Sequence, residues 1–326
     1  MDLPSIWRQI HHAPRPAVAS RAMRALVSRQ SAPFAELADV PDPAPRPDQA
    51  LVEVHAISLN RGETRRLETL EPGTVTGWDL AGTVRQAAQE GGPPEGARVV
   101  GLMNTGAWAE LAAVKLEHLA ELPENISFEQ AAALPVAGLT ALRALEVAGF
   151  VLEKRVLVTG ASGGVGRFAI QLAKLGGAHV TGIARRTEGL AELGADEVKA
   201  EIDLDGPIYD AVIDGVGGPV LGQAIQRVAP GGTIVSFAST IPEPVSYPAR
   251  ELFARAPGAR LYGLYVFAEL DHTRSGSTDL RRLADLVADG RLDPQIDLTL
   301  SWTDAAQAIE ALLDRRVNGK AVLRVD

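Results

Sequence analysis

The chain contains no cysteine in 326 residues. That excludes disulfides, thiolate nucleophiles and cysteine-ligated metals. It also fits a reducing compartment, and a cytoplasmic location is expected. An excess of basic residues is missing too. Lys and Arg number 32 against 41 Asp and Glu, for a net charge of -9, so nucleic acid is not an expected partner. No apolar run approaches the roughly 20 residues that span a bilayer. Residues 1–20 lack a signal-peptide core and read as an extension before a folded region that starts near Met23. The pair His11-His12 reads as a solvated stretch of that extension rather than a metal site. What remains is ordinary: 46% hydrophobic and 22% charged residues, with length for about two domains.

The most informative stretch is Arg155 to Gly176. Val156, Leu157 and Val158 form the short apolar run of a buried parallel strand. A turn of small residues, Gly160 to Gly166, follows. Arg167 to Leu175 then reads as a helix with Ala169, Ile170, Leu172 and Ala173 toward a sheet, stopped at Gly176. A strand, a glycine turn and a helix suit a dinucleotide, because unpaired N–H groups at the helix start face the pyrophosphate and glycine lets the backbone approach it. One glycine of G-x-G-x-x-G is lacking. Ala161 stands first, with Gly163 and Gly166 in the other two places.

Before this stretch, short strands separated by Gly and Pro predict a β-rich domain. They include Met23–Val27 and the alternating Gln49–Ile57, with Val52, Val54 and Ala56 on one face. Ser127 is a helix cap, and 139–147 a second helix. After it, strands are expected at 156–159, 179–184, 210–214, 232–237 and 260–267, and helices at 166–175, 187–193, 218–228 and 279–289. That alternation implies a doubly wound parallel sheet. Thr187 is the expected cap and Gly194 the expected end of helix 187–193. A last strand covers 321–325.

Several stretches together resemble the medium-chain dehydrogenase/reductase superfamily, in its zinc-free quinone oxidoreductase and enoyl reductase branch. They are Ser58-Leu59-Asn60, Pro72-Gly73, Gly77 to Gly82, Leu139-Thr140-Ala141, Gly160 to Gly166, Leu193 to Val198, Asp214 to Gly217, Pro230-Gly231-Gly232 and Gly319-Lys320. The resemblance implies an α/β chain with a Rossmann domain at 139–267 and a β-rich GroES-like catalytic domain at 23–138 and 268–326, after the extension at 1–22. It also implies a homodimer paired around Leu261 to Phe267. The implied cofactor site is Asn60, Thr140, Ala161, Ser162, Gly163, Gly164, Val165, Gly166, Ala184, Arg185, Arg186, Gly215, Val216, Phe237, Ala238 and Leu264, with Asn60 also beside the substrate. Where zinc-dependent relatives carry cysteine and His-Glu, this chain carries the Asn60 neighbourhood and Trp78-Asp79, so no metal is expected.

Without a Lewis acid, hydride transfer suits acceptors that already delocalise charge, namely quinones and α,β-unsaturated carbonyls. The Asn60 amide is then a candidate to hold the nicotinamide carboxamide or the acceptor oxygen. Some quinone reductases place a tyrosine shortly after the matching asparagine. Here Arg61-Gly62-Glu63-Thr64-Arg65 follows, with Glu63 and Arg65 expected at the surface. Trp78 and Trp108 are candidates for an aromatic wall, with plain core the stronger expectation for each. After the second Rossmann strand there is no acid. Arg185 and Arg186 stand there, Gly182 leaves room, and NADPH is expected over NADH. Alternatives are an enoyl-thioester reductase, which a basic patch beside the cleft would favour, and an NADPH-binding protein without turnover.

Overall fold

The computed structural model describes residues 22–32 and 34–326. The extension 1–21, with His11-His12, lies outside the described residues.

Strands β1 (Ala22–Ser28) and β2 (Ala35–Pro41) pair antiparallel. Strand β3 (Gln49–Leu59) buries Val52, Val54 and Ala56 and turns Glu53 outward. A short helix α1 (Arg61–Arg66) follows, then β4 (Asp79–Gln86), β5 (Arg98–Leu102), β6 (Leu111–Lys115) and β7 (Leu119–Glu121). Helix α2 (Phe128–Ala132) starts on the expected cap, with Ser127 and Gln130 bonded reciprocally. Helix α3 (Pro135–Ala148) carries proline in its first turn and is buried along most of its length.

The parallel sheet comprises β8 (Arg155–Thr159), β9 (His179–Ile183), β10 (Glu197–Lys199), β11 (Tyr209–Asp214), β12 (Val228–Ser236) and β13 (Arg260–Gly263). Its order is β10-β9-β8-β11-β12-β13. The order reverses between β8 and β11, which makes the C-terminal ends of these strands the switch point where such sheets take ligands. Helices α4 (Gly164–Leu175) and α5 (Gly218–Ile225) follow β8 and β11, and α6 (Val266–Thr273) and α7 (Gly276–Ala288) follow β13. Strand β14 (Ile296–Ser301), helix α8 (Ala305–Leu313) and strand β15 (Lys320–Arg324) complete the chain. β15 pairs antiparallel with β3, so the C-terminal strands join the first sheet, ordered β14-β15-β3-β4-β5-β7 with β6 also on β3. The expected domain limits at 138/139 and 267/268 fall inside α3 and α6.

Two expectations fail. Residues 187–193 form turns instead of a helix, because Gly189 and Gly194 both take positive φ, at 77° and 105°. The strand expected at 260–267 stops at Gly263, and Val266 already opens α6. An apolar run this short does not distinguish strand from helix. Strand β10 carries no such run and was not anticipated. Among the described residues no helix is long and apolar enough to cross a membrane.

Candidate active site

Helix α4 begins on Gly163, which gives no side-chain cap. The N–H groups of its first turn, at Gly164, Val165 and Gly166, therefore lack intrahelical partners, while Arg167 N bonds to Gly163 O at 3.0 Å. A β-carbon on Gly166 would lie 2.5 Å from Gly160 O and 2.7 Å from Ala161 Cα. The fingerprint's last glycine is thus a packing requirement. Ala161 occupies the first glycine's place, is buried, and is accommodated by Gly182 on β9. A β-carbon at 182 would meet the Ala161 Cβ at 3.3 Å. Gly182 therefore makes room for Ala161.

The remaining expected cofactor residues gather at the C-terminal ends of the parallel strands. Gly215 and Val216 follow β11, Phe237 and Ala238 follow β12, Leu264 follows β13, and Ala184, Arg185 and Arg186 follow β9. Buried Asp214 fastens this edge. It accepts from Thr159 Oγ1 at 2.6 Å, Ser236 Oγ at 3.1 Å and Gly217 N at 3.2 Å, and so ties β8, β11 and β12 together. A β-carbon on Gly215 would meet Phe237 Cζ at 2.6 Å. Thr140 is buried in α3, and Ser162 is half-buried in the turn.

On the other side stands Asn60, at the end of β3 and the start of α1. Its Nδ2 donates to Glu63 Oε1 at 2.9 Å and to Asp79 Oδ2 at 2.7 Å, and its Oδ1 accepts from Lys320 Nζ at 2.7 Å. Two acceptors on one side and an ammonium on the other fix the amide's orientation. Both amide hydrogens are therefore spent inside the protein, and Oδ1 is the only side-chain atom of Asn60 that accepts. Lys320 Nζ also donates to Leu59 O at 3.3 Å and Asp79 Oδ2 at 3.4 Å. Asp79 Oδ1 accepts from Val136 N at 2.9 Å, which links the cluster to α3.

Asp79, Glu63 and Lys320 are each no more than 3% exposed. This corrects the surface placement expected for Glu63: α1 turns it back onto Asn60, with Asn60 N donating to Glu63 Oε1 at 2.7 Å. Arg65 is exposed as expected. A single ammonium faces two buried carboxylates. Burial, and then the charge of Asp79, push the Glu63 carboxyl well above the ordinary carboxylate range. Burial also raises Asp79, opposed by Lys320, Asn60 and the Val136 N–H. Asp79 has the better donors, from Lys320, Asn60 and Val136, whereas Glu63 Oε2 has no partner.

The two halves meet at Lys320. A β-carbon on Gly164 would come 3.0 Å from Lys320 Cδ, so the lysine stem lies against the start of α4. Trp78, next to Asp79 in the chain, belongs to an aromatic cluster. Trp78 packs edge-on against Phe267, with centroids 5.3 Å apart, and Phe267 lies 5.4 Å from Tyr265. Trp78 is half-buried, whereas Trp108 is fully buried against Gly77 and belongs to the core. Phe267 and Tyr265 escaped the sequence reading, because residues 260–267 read as one strand. Lys320 was visible only as part of a short Gly-Lys pair.

Arginines collect near this junction. Burial lowers the Arg61 and Arg315 guanidinium pKa values, and neighbouring guanidiniums add to the effect: Arg65, Arg315 and Arg185 for Arg61, and Arg185, Arg65 and Arg186 for Arg315. Arg186 Nη2 donates to Val317 O at 3.1 Å, while Arg185 is exposed.

A glycine turn at the switch point of a doubly wound parallel sheet, joined to a second, β-rich unit, is the architecture of a two-domain protein with a dinucleotide-binding type of fold. A family model described as a zinc-binding dehydrogenase matches residues 193–323. A 2-methylene-furan-3-one reductase of Solanum lycopersicum is 31% identical over 307 residues, 85% of this chain and 71% of that protein. A chloroplastic quinone-oxidoreductase homolog of Spinacia oleracea is 37% identical over 207 residues, 55% of this chain and 63% of its own length. A mycobacterial protein solved in complex with NADPH superposes with a TM-score of 0.80 at 26% identity, over 93% of this chain and all of that one. The chain belongs to the medium-chain dehydrogenase/reductase superfamily, in its quinone oxidoreductase and enoyl reductase branch. The zinc in the matched family's description does not fit the cleft of this chain. Thiolate and imidazole are absent from the Asn60 cluster, and the Lys320 ammonium sits between the amide and carboxylate oxygens that a cation would need.

Proposed function

We propose that the protein is an NADPH-dependent, zinc-independent reductase of quinones or α,β-unsaturated carbonyls, working as a cytoplasmic homodimer. The observation that carries this reading is the meeting of the glycine cradle with the Asn60–Lys320 cluster at Gly164. The uncapped start of α4 would hold the pyrophosphate, and Arg185 the 2′-phosphate. Gly215, Val216 and Leu264 would border the nicotinamide, with Asn60 Oδ1 accepting from its carboxamide. Bound there, NADPH supplies the hydride. The chain's own part is to position: Lys320, Asp79 and Glu63 hold Asn60 rigidly, and Trp78 and Phe267 give the acceptor an apolar wall that keeps water away. Saturating a quinone or enone then needs one proton, which water or the Tyr265 hydroxyl at the rim can give. The exposed edge strand β13, with Leu261 and Tyr262 outward, supports pairing of two copies.

The test is NADPH oxidation in the presence of 1,4-benzoquinone or a vinyl ketone, with NADH in parallel. Turnover with either acceptor, faster with NADPH, is expected. Cofactor binding without turnover on any acceptor would instead make this a non-catalytic NADPH-binding protein.

The arginine cluster favours one second reading, an enoyl-thioester reductase. Arg61, Arg65 and Arg315 exceed what a single 2′-phosphate needs, and they suit the phosphates of a coenzyme A or carrier-bound substrate. An Arg61→Ala/Arg65→Ala variant separates the readings. KM for an enoyl-coenzyme A rises while KM for a free enone stays level only if the thioester reading holds.

A further inference from the structure

Outside the cleft, a second cluster of donors has no assigned role. A tight turn, Leu116–His118, joins β6 to β7 and sets Glu117 beside His118. Helix α6 brings Asp271 against them from a distant part of the chain. One ligand atom from each of Glu117, His118 and Asp271 falls within 4.8 Å of the others, and His118 Nε2 lies 3.7 Å from Asp271 Oδ1. His118 is 7% exposed, and its Nε2 has no hydrogen-bond partner. A buried imidazole nitrogen aimed at carboxylates, yet bonded to neither, is costly without a ligand.

The surroundings hold the imidazole in place. Gly276, at the start of α7, lets that helix close over the turn; a β-carbon there would lie 2.7 Å from Glu117 O and 2.9 Å from His118 Cδ2. Lys115 pairs with Glu117 Oε1 at 3.3 Å, and an incoming cation would have to share or displace that contact. Burial lowers the His118 pKa, with help from Lys115 and against Glu117 and Asp271.

We propose that Glu117, His118 and Asp271 form a binding site for a divalent transition metal of the zinc type, separate from the reaction cleft. One imidazole and two carboxylates are a zinc donor set, whereas calcium and magnesium take oxygen ligands. Ligands on a tetrahedral zinc with bonds of about 2.0–2.2 Å stand roughly 3.3–3.6 Å apart. The 3.7 Å between His118 and Asp271 is close to that already, and Glu117 has a short distance to close. Asp271 and Glu117 are partly exposed, with side chains 55% and 35% accessible, so the ion has an entry path and a place for water. The ion would tie α6, which carries Phe267, to the β6–β7 turn. Its role is structural, and turnover does not depend on it.

The experiment uses the full chain, stripped with a chelator and titrated with zinc chloride by calorimetry, with Tm followed in parallel. All proteins carry His11→Ala, His12→Ala and His179→Gln. The first two remove the histidine pair of the extension. The third removes an imidazole that stands beside Asp196 and Glu197. One equivalent of zinc and a raised Tm are expected, with no response to calcium chloride. Asp271→Asn, a change at the surface, and His118→Gln should each weaken zinc binding by roughly tenfold or more and abolish the rise in Tm. Zinc binding that is absent from the parent, or unchanged in folded Asp271→Asn, overturns the proposal.

Discussion

Lys320 and Glu63 show how burial decides what a residue does. Replacing Lys320 with methionine leaves Asp79 charged, buried and without its counter-ion, and the loss should be about 3–5 kcal/mol of stability, read by urea unfolding. Glu63→Gln should behave differently. The folded pKa of Glu63 is raised, so the stability linked to its proton is complete below the unfolded pKa and is lost as pH rises through the folded value. The wild type should thus lose stability on the alkaline side, and Glu63→Gln should flatten that limb of a Tm–pH profile. An identical limb in both proteins would place the titration elsewhere. Asn60→Ala leaves Lys320 and Asp79 each a bond short. A cost of about 1–3 kcal/mol is expected, together with a fall in turnover larger than the fall in cofactor affinity.

Among the elements, the β8–turn–α4 unit and the segment after β9 carry the cofactor predictions. A charge-assisted contact contributes about 1.5–3 kcal/mol, so Arg185→Ala/Arg186→Ala should weaken NADPH roughly tenfold to a hundredfold and spare NADH. Titration of both cofactors checks it, and equal losses would remove the arginines from the 2′-phosphate. Arg186 is already bonded to Val317 O, which makes Arg185 the freer of the two. Ala161 and Gly182 are a compensated pair. Gly182→Val should cost about 1–3 kcal/mol by overpacking, and adding Ala161→Gly should recover part of it in a double-mutant cycle. Independent effects would mean that the contact is not the cause. The elements also mark where a linear reading loses accuracy. The 187–193 segment has helix-compatible composition, but the positive φ of Gly189 and Gly194 is a tertiary outcome. In 260–267, strand and helix share one apolar run, and the break at Gly263 depends on where β12 ends.

At the scale of the whole molecule, the net charge of -9 conceals the arginines gathered between α1, the β9 end and the segment after α8. Sequence positions 61, 65, 185, 186 and 315 give no hint of proximity. The β8–α4 fingerprint, the alternation of strands and helices, the absent thiolates and the arginines after β9 are local in the chain. Periodicity, turn chemistry and composition act over a few residues, so the sequence by itself determined the parallel sheet, the glycine turn that opens α4 and the lack of a cysteine-bound metal. The polar cluster could not be read that way. Asn60, Asp79 and Lys320 come from β3, β4 and β15, and only the return of β15 to pair with β3 sets the ammonium against the amide. The same holds for Trp78 with Phe267 and for His118 with Asp271. Such contacts, and the protonation states they impose, depend on burial and distances of a few ångströms between remote segments, and those exist only once the chain has closed on itself.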